Sequence, residues 1–140
     1  MHKNGRNKKA KNSEINEIKR LVDSFREMDT IPETFPKEYY KRILKKGILL
    51  IAKENNKIMG ACFGTYNIKE KWADLLGLAV KKEFRKKRYG ISLVKEFERI
   101  AKKNKLRTID LYADKTQLRL FRELNYKQGR TYTAFRKKIT

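Results

Sequence analysis

Apolar positions in the first third of this chain recur every three to four residues, and then the period drops to two. Ile15, Ile18, Val22 and Phe25 fall at helical spacing from Ser13, a suitable N-cap, through Met28. Residues 29–35 read as a loop around Pro32. Pro36 stands well as the first residue of a second helix, with Tyr39, Tyr40, Ile43 and Leu44 as its stripe. From Gly47 onward the pattern is that of strands: residues 47–53, an Asn55-Asn56 turn tolerant of positive φ, and residues 57–66. Gly60 and Gly64 share one face of the latter strand, which marks bulges or the close approach of another group.

A third strand over residues 71–80 is almost wholly apolar after Asp74, as expected of a strand covered on both faces. The helix over residues 89–103 turns Leu93, Val94, Phe97, Ile100 and Ala101 to one side and ends at Asn104. Residues 106–112 come next as a strand with Ile109 and Leu111 inward. Strand, basic turn, helix and strand in this order form a βαβ unit, so the two strands should be parallel with a right-handed crossover. A short helix over residues 116–124 uses Leu120, Phe121 and Leu124 as its core face, and a last strand is expected over residues 126–137.

With 140 residues, 39% of them apolar, the chain is one domain that can bury a core without staples. The longest apolar runs, residues 47–52 and 75–80, both end at a lysine and are far too short to span a membrane. The basic start has no apolar segment behind it, so no secretory leader is expected. Cys62 is the single cysteine, which excludes an internal disulfide and fits a cytoplasmic, reducing setting. It reads either as a reactive thiol or as a small buried strand residue.

Charge changes the picture most. The net charge is +21, with a pI near 10.2. Residues 1–12, with Lys3, Arg6, Lys8, Lys9 and Lys11 and no acid, read as a disordered basic arm ahead of a domain over residues 13–140. Residues 81–88 hold six cations against Glu83. Such clusters fit association with nucleic acid, or equally a solvated lysine-rich face; aromatic residues do not interleave with the cations as in stacking platforms. The second cluster lies where a strand passes into a helix N-terminus, where free N–H groups and the positive end of the helix dipole converge. That is an anion site suited to a phosphate-bearing ligand.

Element order over residues 14–138, and motifs over 72–126, resemble the GNAT acetyltransferase superfamily. Its acyl-CoA signature, Q/R-x-x-G-x-G/A, is similar to Arg85-Lys86-Lys87-Arg88-Tyr89-Gly90. The wider pattern is met by Val80, Phe84, Arg85, Lys87, Gly90 and Leu93. Leu120-Phe121-Arg122-Glu123-Leu124-Asn125-Tyr126 resembles L-Y-E-K-L-G-F, and Lys57-Ile58-Met59-Gly60 resembles the hairpin G-K-I-V-G. The resemblance implies an α/β (α+β) domain. Its sheet would be mixed but mostly antiparallel, with helices on both faces and two splayed central parallel strands.

The same resemblance implies acetyl-CoA as co-substrate and no metal. The pyrophosphate would lie on Arg85, Lys86, Lys87, Arg88, Tyr89, Gly90 and Ile91. The pantetheine arm would lie along Leu78, Ala79 and Val80, near Phe121, and the Leu78 N–H would polarise the thioester carbonyl. Arg88 stands where the signature has its first glycine; should the backbone need positive φ there, the cost is about 1–2 kcal/mol. Phe121 replaces the tyrosine that in many members protonates the thiolate, and Asp114 replaces an asparagine. Tyr112, Tyr126 and Tyr132 are the candidates for the missing acid.

Asp74 stands at the spacing at which one branch of the family has a glutamate base. It is read either as that base or as a strand-end carboxylate paired with a lysine. The implied activity is transfer of an acetyl group to a primary amine by direct attack in a ternary complex. Its acceptor would be a small molecule, a protein or an aminoacyl-tRNA. The alternative is a GNAT-like domain, weak or inactive as a catalyst, that binds RNA or another polyanion.

Overall fold

The computed structural model describes residues 6–26 and 34–140. His2, Lys3 and all but the last two residues of the loop expected over 29–35 lie outside the described residues, and so does the expected end of the first helix at Met28. The chain runs β1 (Arg6–Lys9), α1 (Ile15–Arg26), α2 (Lys37–Lys46), β2 (Ile48–Glu54), β3 (Lys57–Asn67), β4 (Trp72–Val80), α3 (Tyr89–Lys103), β5 (Thr108–Leu111) and α4 (Leu118–Glu123). Short 3-10 turns at Asn12–Glu14, Lys82–Lys87 and Lys115–Gln117 lead into α1, α3 and α4. The five strands lie in the order β1-β2-β3-β4-β5, antiparallel except for the parallel β4–β5 pair. This is the mixed, mostly antiparallel α/β sheet expected.

Alternation along β2 and β3 builds two cores. Leu49, Ile51, Ala61 and Phe63 face α1 and α2, where they meet Ile18, Val22, Tyr40 and Ile43. Leu50, Ala52 and Cys62 face the other way, onto Leu93, Val94 and Phe97 of α3 and Phe121 of α4. Asn55 and Asn56 take φ of 54° and 65°, the left-handed pair that a two-residue hairpin needs.

The N-terminal segment corrects an expectation. The basic arm read as disordered contains β1, an edge strand whose Arg6–Lys9 run antiparallel to Leu50–Lys53. An edge strand needs backbone partners more than apolar periodicity, which is why composition concealed it. The residues just after β1 are pinned as well. Ala10 is buried and donates to the Leu49 carbonyl at 2.9 Å, and the Lys11 N–H donates to Glu14 Oε1 at 2.8 Å. Glu14 also pairs with Lys53 of β2.

The opposite end corrects another. Residues 126–140 form no strand, although their sequence alternates. Tyr126 packs on the α3 core, whereas Tyr132, Phe135 and Ile139 stay 68%, 92% and 86% exposed. Alternation makes a strand only where one face meets a core. Among the described strands β5 is therefore an edge.

Candidate active site

β4 is paired differently along its length. Trp72, Ala73, Asp74 and Leu75 lie in parallel register with Thr108, Ile109, Asp110 and Leu111 of β5, and there the pairing stops. Leu76–Val80 continues with β3 alone. A bulge marks the change: Leu75 opposes Gly64 and Gly77 opposes Phe63, so Leu76 is the extra residue, 46% exposed. Two glycines make room for it. A Cβ on Gly64 would stand 2.0 Å from the Asp74 carbonyl oxygen, and one on Gly77 would stand 2.2 Å from the Phe63 ring.

Past the bulge, the Lys81 N–H donates to the Met59 carbonyl at 2.8 Å. Alternation then turns the amide groups of Leu78 and Val80 away from β3, toward the side β5 has vacated. Both carbonyls are met by side chains there. Gln117 Nε2, at the start of α4, donates to Leu78 O at 3.3 Å, and Arg85 Nε donates to Val80 O at 3.2 Å. Arg85 is held on its other side by the Phe25 ring, 4.9 Å away. Gln117 did not emerge from the sequence. Its partner is 39 residues distant, and a glutamine before a short helix carries no local signal.

The basic junction continues this edge. Lys82–Lys87 is a 3-10 turn that includes Arg85, Lys86 and Lys87. Arg88 takes φ 64° and ψ 21°, left-handed, so the backbone does need positive φ at this glycine-like position. Its side chain swings outward, 67% exposed, with Nη1 at 3.9 Å from Glu123 of α4. The Arg88 carbonyl accepts from the Ser92 N–H at 3.1 Å, which starts α3. Tyr89 is buried and donates its hydroxyl to Glu54, and burial with that carboxylate pushes the phenol up to about 12.

Gly90 is not sterically forced. A Cβ there would make ordinary contact with Leu120, Val80 and Leu78, at 3.8–3.9 Å. Ile91 is half-buried in the first turn of α3. Phe121 is buried beneath, its ring 5.4 Å from Tyr126 in an edge-to-face contact.

Asp74 is half-buried at the end of the paired half, opposite Thr65 on β3 and beside Asp110 on β5. Among the described residues it makes no ion pair. Trp72 and Leu76, each nearly half exposed, flank it along the strand. Asp114 spends its carboxylate on the turn before α4, accepting from the Thr116 N–H at 2.9 Å.

The tyrosines considered as acids differ in setting. Tyr112 and Tyr132 are exposed and pack edge to face at 5.8 Å. The Tyr126 hydroxyl is shielded from solvent, and burial, with the Glu98 carboxylate adding to it, pushes it well above the usual tyrosine range. Cys62 is fully buried, which pushes its thiol up and leaves it the small strand residue of the two readings. Among the described residues no group of His, Cys, Asp and Glu is placed to hold a metal ion, and no helix is long and apolar enough to cross a membrane.

The parallel pair thus splits beside a basic strand-to-helix turn. Residues 16–126 match the Acetyltransferase (GNAT) family, and the chain belongs to it. Solved structures with the same fold include an aminoglycoside acetyltransferase from an uncultured soil metagenomic sample, in complex with sisomicin. It is 17% identical, with TM-score 0.75 and 96% of each chain covered. An acetyltransferase of Trypanosoma brucei is 10% identical, with TM-score 0.76 over 94% of this chain and 99% of that one. Ard1 from Thermoplasma volcanium is 14% identical, with TM-score 0.69 over 87% and 80%. No curated protein matches the sequence.

Proposed function

We propose that this protein transfers an acetyl group from acetyl-CoA to a primary amine. One observation carries the reading: the open half of β4 runs directly into the Lys82–Lys87 turn and the start of α3. Backbone acceptors and donors for an extended amide-bearing arm are thereby continuous with an N-terminal helix site for its phosphates. The residues fit the coenzyme. Gly90 brings no side chain to the junction beside Leu78 and Val80, and Arg85 and Arg88 supply positive charge at the turn.

Bound there, the coenzyme supplies an activated acyl carbonyl. Leu78 N–H would donate to that carbonyl oxygen where negative charge develops. Asp74 would accept the proton of the incoming ammonium, directly or through water, and so free its lone pair. The amine would then attack the carbonyl carbon; as the C–N bond forms the C–S bond would break with its pair leaving on sulfur, and the second proton of the nitrogen would pass to solvent. With Phe121 lacking a hydroxyl, the thiolate takes its proton from solvent or leaves ionised. Asp74 and Asp110 side by side, in a chain of net charge +21, favour a cationic acceptor at this end of the sheet. Small amines, the class of the aminoglycoside enzyme's sisomicin, fit that charge.

Thermal denaturation with acetyl-CoA tests the reading. At a hundred times Kd the coenzyme stabilises the fold by about 2.7 kcal/mol, a rise of several degrees in Tm. No shift at saturation would sink it.

A second reading rests on α3. Arg88, Lys95, Arg99 and Lys102 fall along one side of this helix. The first three line a groove of about 450 Å³ against Asn7 of β1. An RNA backbone laid there, as on an aminoacyl-tRNA acceptor, would bind with a logarithmic salt slope of about −0.7 per phosphate engaged. A flat salt dependence would remove this reading.

A further inference from the structure

An unpaired strand edge inside a cleft is costly unless its carbonyls are met, because a buried amide without a partner forfeits its hydration. In this chain the two outward carbonyls of the open half of β4 are met by the protein's own side chains. The two contacts differ in kind. Arg85 brings a charged donor at 3.2 Å, from a guanidinium seated on the Phe25 ring, and so is fixed. Gln117 brings a neutral amide at 3.3 Å, beyond the usual length of such a bond, from a half-buried side chain with three torsions of its own.

We propose that Gln117 is a placeholder in the coenzyme groove, holding the Leu78 carbonyl until the first amide N–H of an acyl-CoA arm displaces it. The inference rests on the coenzyme reading above and deepens it. Leu78 is the residue at which the two meanings of the open edge collide. Its carbonyl is the acceptor an incoming amide would take, and it is the acceptor that Gln117 now occupies. Arg85 stays in place, so the groove offers one exchangeable backbone acceptor.

Exchange has a direction. Each coenzyme bound releases one Gln117 contact and forms one amide contact, so the native side chain weakens the coenzyme by roughly the worth of a neutral hydrogen bond. Gln117 therefore sets affinity for the pantetheine half of the ligand and leaves the nucleotide half untouched. The latter would bind beyond Val80, at the turn and the start of α3.

Calorimetric titration separates these halves. Coenzyme A and adenosine 3′,5′-bisphosphate, which lacks the pantetheine arm, are each titrated into the wild type, Gln117→Met and Gln117→Ala. Methionine keeps the length of the side chain without its donor, so it controls for lost packing. Both variants should bind coenzyme A about 2- to 10-fold more tightly than the wild type, with the bisphosphate unchanged within error. Equal or weaker binding of coenzyme A by the methionine variant overturns the placeholder role while leaving the coenzyme reading intact. An equal change for both ligands overturns it as well, because the effect would then lie outside the arm. Failure of coenzyme A to bind wild type and variants alike would remove the coenzyme reading, and this inference with it.

Discussion

Between Trp72 and Leu75, β4 is bonded on both sides, to β3 and to β5; between Leu76 and Val80 it is bonded to β3 alone. Both halves are mainly apolar, so composition does not distinguish them. The difference lies in what the neighbouring chain does. β5 is four residues long, and the Leu76 bulge tilts β4 where that partner ends. The paired half holds side chains in place, among them Asp74 beside Asp110. The open half offers backbone groups. In the proposed reaction the first supplies a base and the second a polarising donor, and the bulge between them sets their relative aim.

The sharpest way to break this division is to remove the bulge's room. Gly64→Ala sets a methyl 2.0 Å from the Asp74 carbonyl, against backbone that cannot turn aside. A loss of about 3 kcal/mol or more is expected from chemical denaturation, at the upper end for an overpacked site. An alanine tolerated without loss would mean that the two halves are not held apart at this point.

Asp74→Asn comes next. It should reduce turnover about 100-fold, the lower range for a lost general base, while coenzyme affinity stays unchanged. A parallel loss of coenzyme binding would erase the distinction between the halves. Unchanged turnover would take Asp74 out of the mechanism.

Arg88→Gly is smaller and of opposite sign. With φ at 64°, glycine relieves about 1 kcal/mol of left-handed strain, partly offset by the freedom that glycine adds to the unfolded chain. A modest rise in Tm is expected, together with a small loss of coenzyme affinity from the missing charge. A lower Tm would mean that the Glu123 contact outweighs the strain.

The smallest effect serves as a control remote from β4. Burial raises the Glu14 carboxyl, but Lys53 and the Lys11 N–H more than offset it and hold it below the ordinary 4.5; Arg99 lowers Glu96 likewise. A folded-state pKa below the unfolded one gives stability that is present above about pH 4.5 and lost as pH falls through the folded value. Melting temperature should therefore be flat from pH 7 to 5 and fall below that, and Glu14→Gln should shallow the fall. A variant with the full acid transition would exclude Glu14 as its source.

Residues with regular periods and local turn chemistry declared themselves. The switch at Gly47 from helical to strand spacing, the Asn55-Asn56 turn, and the helix from Tyr89 all stand where pattern put them. Arg88 was marked by the motif alone as a position with a backbone question. What escaped depends on partners far away in sequence. β1 exists because β2 presents an edge, and residues 126–137 are no strand because their alternating face meets no core. Gln117 joined the site through a contact that only the fold creates, whereas the bulge opposite Gly64 falls where that glycine had marked a bulge or a close approach.

β1 carries a consequence for how this protein would behave if shortened. It is the strand that closes the outer side of β2, whose Ile48–Ala52 are all buried. A chain beginning at Ala10 would present that side bare, with a row of unmatched amides next to five apolar residues. Such an edge recruits other sheets, and aggregation through β2 is the expected outcome. The lysines of β1, too polar to look like structure, would then serve as a guard against self-association, ending the sheet on a charged border that disfavours pairing with a second copy.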